Sequence, residues 1–503
     1  MSSNNTMTEP KTELVMLKSS KMNKDISEPD DHDQEIGSTI ETYDRKAESK
    51  MLRKFDFFAV IPLGVFYMMA ILDRSNLGNA NIAGMPEDIG LTGNQFGTAT
   101  TLLYATYVPF EAPVSILVKS VGPKVLISAS AFCWGSVTLG MAFITNYKGL
   151  YVCRLLMGLF EAGLIPASEV YMALVYNRTE RGRRMSLFYT FSCLASAFGG
   201  LLAYGLTQIH GPNGFEGWRW LFSVEAAITI ILVPLFYFVF PKTPVDAWFL
   251  TDEEKRIVRA RYNNDPHWAF DEKFSWTELG KVFTDVKFYA FFVYQFSINL
   301  TQFGFTTFLP TIISGLGYTS IHANLMTVPI YISALAVFLV IAFASDRYGM
   351  RGPFMAGPAI LILVGLILLV SVENLNVRFA ACFLTAFGLY PAAALSMMWL
   401  QDNVAGFYKR SSMVGFTLTL ANTSGVVVGQ IFTADDKPYY KKGLSICLGF
   451  CVLAILIVLA LMTGMTVVNR KREAAIREAD AAGSPLPRQP QEGDYDVYFR
   501  YTI

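Results

Sequence analysis

Apolar stretches of about 20 residues recur along this chain from Phe57 almost to its end, separated by short polar breaks. They fall near 57–80, 96–118, 123–145, 149–176, 184–208 and 219–240, and again near 287–313, 322–345, 353–371, 378–401, 411–433 and 443–468. A hydrocarbon core about 30 Å thick asks for helices of this length. The pattern predicts an all-α membrane protein of twelve transmembrane helices, split six and six by a hydrophilic linker over 241–286. Two equal halves suggest a duplicated unit related by a two-fold axis along the membrane normal, with a central cavity between two six-helix bundles. The expected units are an N-terminal segment 1–50, a first bundle 51–240, the linker 241–286, a second bundle 287–470 and a tail 471–503.

The first 50 residues are rich in Ser, Asn, Asp, Glu and Lys, bury no core and are expected to be disordered. They hold no apolar signal-peptide core, so the first membrane helix is expected to set the topology. In the linker, Leu250-Thr251-Asp252-Glu253-Glu254 reads as an N-cap with an acidic first turn, opening an amphipathic helix through about Tyr262. The tail after Glu473 is polar and Pro-containing and is also expected to be disordered. Basic residues gather in alternate connections, among them Arg53 and Lys54, Lys119 and Lys124, Arg178 to Arg184, Arg347 and Arg351, Lys409 and Arg410, and Arg470 to Arg472. The positive-inside rule then puts both termini in the cytoplasm. The connection from Asp435 to Lys442 is the exception.

Composition agrees with the pattern. Of 503 residues 52% are hydrophobic and only 16% charged, with mean hydropathy +0.36; soluble domains carry about 25% charged residues. The net charge of zero points to no nucleic acid or acidic partner. The six cysteines lie mostly in apolar runs without a CxxC or Cys/His spacing, so neither a metal centre nor a disulfide framework is indicated. No P-loop, dinucleotide fingerprint or Ser/His/Asp arrangement occurs, and the four histidines are scattered. The chain reads as neither an enzyme nor an ATP-driven pump, and it implies no cofactor.

Charge inside the apolar stretches is what remains to be explained. Leu72-Asp73-Arg74-Ser75-Asn76 lies in the middle of the first one, where each charge costs about 2.5 to 3.5 kcal/mol on insertion scales. Such groups face a bundle interior or water and mark ion or substrate pathways. Arg154 and Glu161, spaced i and i+7, project from one face of the fourth helix. Asp73 and Arg74 point about 100° apart, so each needs a partner elsewhere: Asp73 near Arg154, and Arg74 near Glu161 or free for a substrate anion. Asp73 and Glu161 are the candidate proton carriers, and Arg74, Arg154 and Asn76 the candidate substrate ligands. The same charges could instead form a static ion-pair network.

The second half offers neutral groups. Gln295, Asn299 and Gln302 share one helix face, and Tyr390, Trp399, Asn403 and Asn422 add hydrogen-bonding and stacking groups. They could bind the body of a small ligand, or serve as interhelical bonds worth about 0.6 kcal/mol each. Glu111 reads as a gating or helix-end residue. Glu169 and Glu225 also read as helix-end residues of open role. Asp346 and Arg347 with Arg351 form a candidate gating latch, because a carboxylate there can tie a neighbouring helix end to a basic loop in one conformation.

The stretch Ala344-Ser345-Asp346-Arg347-Tyr348-Gly349-Met350-Arg351-Gly352 resembles the loop signature of the major facilitator superfamily; the corresponding loop Ser115 to Lys124 lacks the aspartate. More specifically the chain resembles the anion:cation symporter family in its fungal allantoate-permease branch. The residues behind this are Leu72 through Ala80, Arg154 through Glu161-Ala162-Gly163 with Pro166, Gly217-Trp218-Arg219-Trp220-Leu221-Phe222, Phe308-Leu309-Pro310, and Trp399 to Asn403 with Lys409-Arg410. Thr306 to Pro310, Leu325 to Tyr331, Gly429 to Phe432 and Asp436-Lys437-Pro438 are similar to the yeast-type high-affinity nicotinic acid permeases. The resemblance implies proton-coupled symport of a small organic carboxylate, nicotinate foremost, by a monomer in the plasma membrane lipid bilayer. It also implies that Asp73 and Glu161 take part in proton coupling, while Arg74 and Arg154 contact the anion or its carboxylate partner. Other readings are a permease for pantothenate, biotin, allantoate, a sugar acid or a fungal metabolite, or a nutrient sensor without flux.

Overall fold

The computed structural model describes residues 44–209, 211, 215, 217–264, 276–405, 407–484, 486–487 and 490–503. The first half contains α1 (Arg45–Phe55), α2 (Ile61–Ile82), α3 (Met85–Asp88), α4 (Gln95–Val121), α5 (Pro123–Met141), α6 (Tyr147–Glu161), α7 (Leu164–Val175), α8 (Arg178–Leu206) and α9 (Gly217–Val239). Helices α10 (Asp252–Asn264) and α11 (Trp276–Thr284) occupy the linker. The second half contains α12 (Val286–Gly315), α13 (Ser320–Tyr348), α14 (Gly352–Ser371), α15 (Leu375–Asp402), α16 (Phe407–Asn422), α17 (Ser424–Ile431) and α18 (Lys441–Ala481).

Among the described residues these helices make the twelve expected passes. Two of the passes are built from consecutive pieces, α6 with α7 and α16 with α17, and a π-helical turn at Asp56–Val60 joins α1 to α2. Ten passes are long and apolar enough to cross a membrane by length and composition; α4 and α12 complete the set with 27 and 30 residues. The break between α6 and α7 follows from Pro166, whose ring clashes with the carbonyl four residues back, at Ala162. Between α4 and α5 the chain reverses through Gly122 at φ +85°, a conformation costly for any residue with a Cβ. An even number of passes brings both described chain ends to one face, here the terminal face, and leaves the other face distal.

Two departures from the sequence expectation concern the ends, while the linker helix forms where it was expected. Residues 1–43 lie outside the described residues, but 45–50 are helical, opened by the Asp44 side chain capping the Lys46 N–H. The linker helix α10 is pinned to the first half by Lys54–Glu254 at 2.6 Å and by Arg261 bridging Glu48 and Glu180 at 2.8 and 2.6 Å. The described residues of the tail are ordered where disorder was expected. Helix α18 runs on to Ala481, and residues 494–503 are strapped across the terminal face of the second half.

Candidate functional site

The two halves meet around a cavity, adjoined by a second lobe that shares Arg74, Ser192, Gln302, Phe303 and Tyr390 in its wall. Its distal end is closed by helix crossings where small residues let backbones meet. Cβ atoms at Gly97 and Gly429 would each collide with the other's carbonyl oxygen, and one at Gly78 would strike the Thr307 carbonyl. Thr101 donates to the Val426 carbonyl at 2.9 Å, Asn81 to Thr311 at 3.2 Å, and Phe96 packs edge-on against Phe308 at 5.7 Å. At Gly200 a Cβ would meet Thr327 and the Asn324 carbonyl, joining α8 to α13. The Gly217–Phe222 motif braces the same end. Trp218 donates to Asp88 at 2.6 Å, and Arg219 holds the Ala142 and Ile144 carbonyls at 2.8 and 3.0 Å.

The first half supplies the charge. Arg74 on α2 donates its Nε to Glu161 on α6 at 2.6 Å, with its guanidinium 4.5 Å above the Tyr107 ring. This is one of the two pairings the helix geometry allowed. Glu161 lies behind Arg74, 1% exposed, and its second oxygen has no hydrogen-bond partner. Arg154 lines the second lobe with only one bond, a 3.6 Å contact from Nη1 to the Met157 sulfur; its Nε and Nη2 have no partner. Asp73 is buried behind the wall with neither oxygen bonded, in the field of Glu225, Glu161 and Arg154. It lies near Arg154, as the expected crossing placed it, but forms no direct bridge with it. Asn76 is likewise off the wall; its amide donates to Glu225 on α9.

The opposite wall is neutral and aromatic, as expected from the stripe on α12. Gln295 donates to Asn299 at 3.0 Å and accepts from Ser396, while Gln302 and Phe303 face both lobes. Tyr390 shares a 2.8 Å hydrogen bond with Ser196 of α8, tying the halves together. Glu111 lies within α4 between Pro109 and Pro113 and not at its end. It reaches across the cavity to accept from Asn422 at 3.3 Å.

The structure brings together Arg74, Arg154, Gln295, Asn299, Gln302, Tyr390, Asn422 and Glu111, and leaves other candidates elsewhere. Trp399 and Asn403 are fully buried at the terminal face, both donating to the Thr502 carbonyl, at 2.7 and 3.0 Å. They do not line the cavity, a departure from the sequence expectation. Asp346 and Arg351 pair at 2.6 Å on that face, and Arg351 also holds Asp402 of α15 at 3.2 Å, while Arg347 is exposed. This joins the α13–α14 loop to a neighbouring helix end in this structure. Sequence reasoning missed Tyr104 and Tyr107, which with Glu111 form an i, i+3, i+7 stripe that could have shown their common face. Tyr104 stacks on Phe303 across the halves at 4.8 Å.

The Major Facilitator Superfamily model matches residues 63–431. The chain is 37% identical over 454 residues to the high-affinity nicotinic acid transporter of Saccharomyces cerevisiae, covering 90% of this chain and 85% of that protein. It is 32% identical to the major facilitator-type transporter hxnP of Emericella nidulans, covering 93% and 96% of the two chains. Among solved structures, the fold matches an inward-facing, occupied bacterial homologue of the human lysosomal transporter Spinster, with TM-score 0.63, 13% identity, and 81% and 96% of the two chains covered. It also matches a D-xylose–proton symporter with TM-score 0.62, 12% identity, and 80% and 97% covered. Two helical halves, a polar cavity between them and these likenesses agree: the chain is a membrane transporter belonging to the Major Facilitator Superfamily.

Proposed function

We propose that this transporter is a proton-coupled symporter of a small organic monocarboxylate, with nicotinate as the first candidate. The observation that carries this reading is Arg154, a buried guanidinium on the cavity wall with two nitrogens unpartnered. A carboxylate is the geometric complement of that fork. Arg74 and Arg154 attract the anion. Tyr104, Phe303 and Tyr390 stack on a flat ring, and Gln295, Asn299, Gln302 and Asn422 offer hydrogen bonds to its heteroatoms. The nicotinic acid transporter among the relatives supports the choice of ring.

Asp73, Glu161 or both carry the coupled proton behind this wall. One proton moved with one monoanion is electrically neutral, and the pH gradient then supplies about 1.4 kcal/mol, or tenfold accumulation, per pH unit. The protein works in the plasma membrane with both termini cytoplasmic, so the distal closure faces outside. Glu111–Asn422 and the Asp346–Arg351–Asp402 cluster act as gates that change with state.

Uptake of labelled nicotinate into cells lacking their own carrier tests the reading, with competition by a panel of carboxylates. Saturable flux that rises as external pH falls is expected, with ring monocarboxylates competing and amides not. Arg154→Ala should lose uptake at normal surface level. Binding without flux, or preference for a non-carboxylate, would overturn it.

A further inference from the structure

Behind the cavity wall lies a pocket of oxygens without partners, and its most conspicuous member is absent from the substrate cavity. Glu225 sits on α9, 1% exposed; one oxygen accepts from the Asn76 amide and the other has no partner. Asn76 is one helical turn from Asp73, so the two side chains lie on the same side of α2. Asn79 donates to the Asn76 oxygen at 3.3 Å, which fixes the amide with its N–H side toward Glu225. Glu225, Glu161 and Arg154 all lie within electrostatic reach of Asp73. The Thr138 hydroxyl of α5 faces Asp73, and Thr229 stands one turn beyond Glu225. Both are fully buried.

Counting charge decides what this pocket needs. The elements packed here bring Asp73 and Arg74 from α2, Arg154 and Glu161 from α6, and Glu225 from α9; α5 brings only hydroxyls, and Cys153 and Tyr104 flank Arg154. Three carboxyls therefore face two guanidiniums. Arg74 is committed to Glu161, which leaves two carboxyls for one Arg154. A buried carboxylate without a counter-charge costs several kcal/mol, and such a group takes up a proton instead. Two adjacent carboxyls of this kind hold one proton between them.

We propose that Asp73 and Glu225 together hold the single coupled proton, with Asn76 positioning Glu225, so that Glu225 is a second seat of proton coupling set apart from the substrate. The pair passes from one shared proton to none as the proton leaves, and its charge changes by one. This rests on the proton-coupled reading above. An alkali cation would be the other ligand suited to the same oxygens.

The test uses Glu225→Gln, Asp73→Asn and the double variant in proteoliposomes, with labelled nicotinate and imposed pH or sodium gradients. The isosteric Gln keeps the Asn76 bond, so a purely structural role would leave it like wild type. Glu225→Gln is expected to retain counterflow exchange, to lose about tenfold or more of the accumulation driven by one pH unit, and to flatten the pH profile. The double variant is expected to be no worse than either single one. Wild-type accumulation and pH profile in Glu225→Gln would overturn the shared proton, as would accumulation in wild type that requires sodium. Wild-type flux indifferent to both gradients would instead overturn the coupled reading itself. Should Glu225→Gln fail to reach the membrane, infrared difference spectra serve. A protonated carboxyl band in wild type that moves in Glu225→Asp supports the pair, and its absence in wild type overturns it.

Discussion

The indole of Trp399 packs edge-on against Phe291 at 5.4 Å and donates its N–H to Thr502. Its surroundings are therefore helix core and the chain's own tail. Trp399→Ala is expected to lower stability by about 3 to 5 kcal/mol, the usual cost of truncating a buried aromatic, and to leave substrate preference unchanged in whatever protein folds. Thermal unfolding of the purified variant beside competition profiles checks both halves of that statement. The sequence could not have shown this placement, because a Trp near a helix end looks the same whether it meets a ligand or a tail ten residues long. Asp73, Arg74, Arg154 and Glu161 were legible for the opposite reason: charge in an apolar stretch is expensive wherever it points, so its presence alone marks an interior. Glu225 escaped because it lies two turns from the start of its helix, and only the fold puts Asn76 against it.

At the scale of elements, helix positions followed from hydropathy to within a few residues, since bilayer thickness fixes both length and spacing. What hydropathy leaves unread is polar chain that folds back. Residues 494–503 do so through Asp494, 1% exposed, which pairs with Lys409 at 2.9 Å and also with Lys287. Asn403 brackets Thr502 and Asn469 brackets Tyr501, each both giving and accepting a backbone bond. Burial pushes the Asp494 carboxyl upward, but Lys287 and Lys409 outweigh it and hold the group below the ordinary aspartate value of 3.8. A depressed carboxyl contributes stability that is complete above its unfolded value and is lost as pH falls through its folded one. The strap should therefore stay docked above pH 3.8 and loosen only below it. Asp494→Asn should show the loosened state at neutral pH and lower stability by roughly 3 kcal/mol, because the lysines lose a buried partner. Proteolysis of the tail and thermal unfolding, each followed against pH, measure this. A tail equally protected in Asp494→Asn would remove the ion pairs from its anchoring.

For the whole molecule, the crossings between halves obey the two-fold relation that a duplicated chain imposes. The first pass meets the seventh through α2 and α12; the second meets the eleventh through α4 and α17; the fifth meets the eighth through α8 and α13. The last two crossings exchange with each other under the axis, so an element that opens on one side of the cavity has a counterpart on the other. In this state the close backbone approaches, Gly97 on Gly429 and Gly78 on Thr307, lie at the distal end. Among the described residues a bond that joins the halves nearer the terminal face, Ser186 to the Met398 sulfur at 3.7 Å, is a weak one. Alternating access then requires the distal crossings to part while the terminal ends draw together. A cysteine replacing Ser192 on the cavity wall, with the six native cysteines removed, is expected to react with a membrane-impermeant thiol reagent from the terminal face and to be protected from the distal face. A Val at position 429 would push its side chain into the Gly97 backbone, so Gly429→Val should hold the distal end open, reverse the labelling and stop uptake at normal surface level. Equal labelling of the Ser192 position from both faces in the same cysteine-free background, without Gly429→Val, would mean that these crossings do not form the barrier. The rigid-body exchange of closures between the two halves would then have to be abandoned for local gating by Glu111 and Asn422 alone.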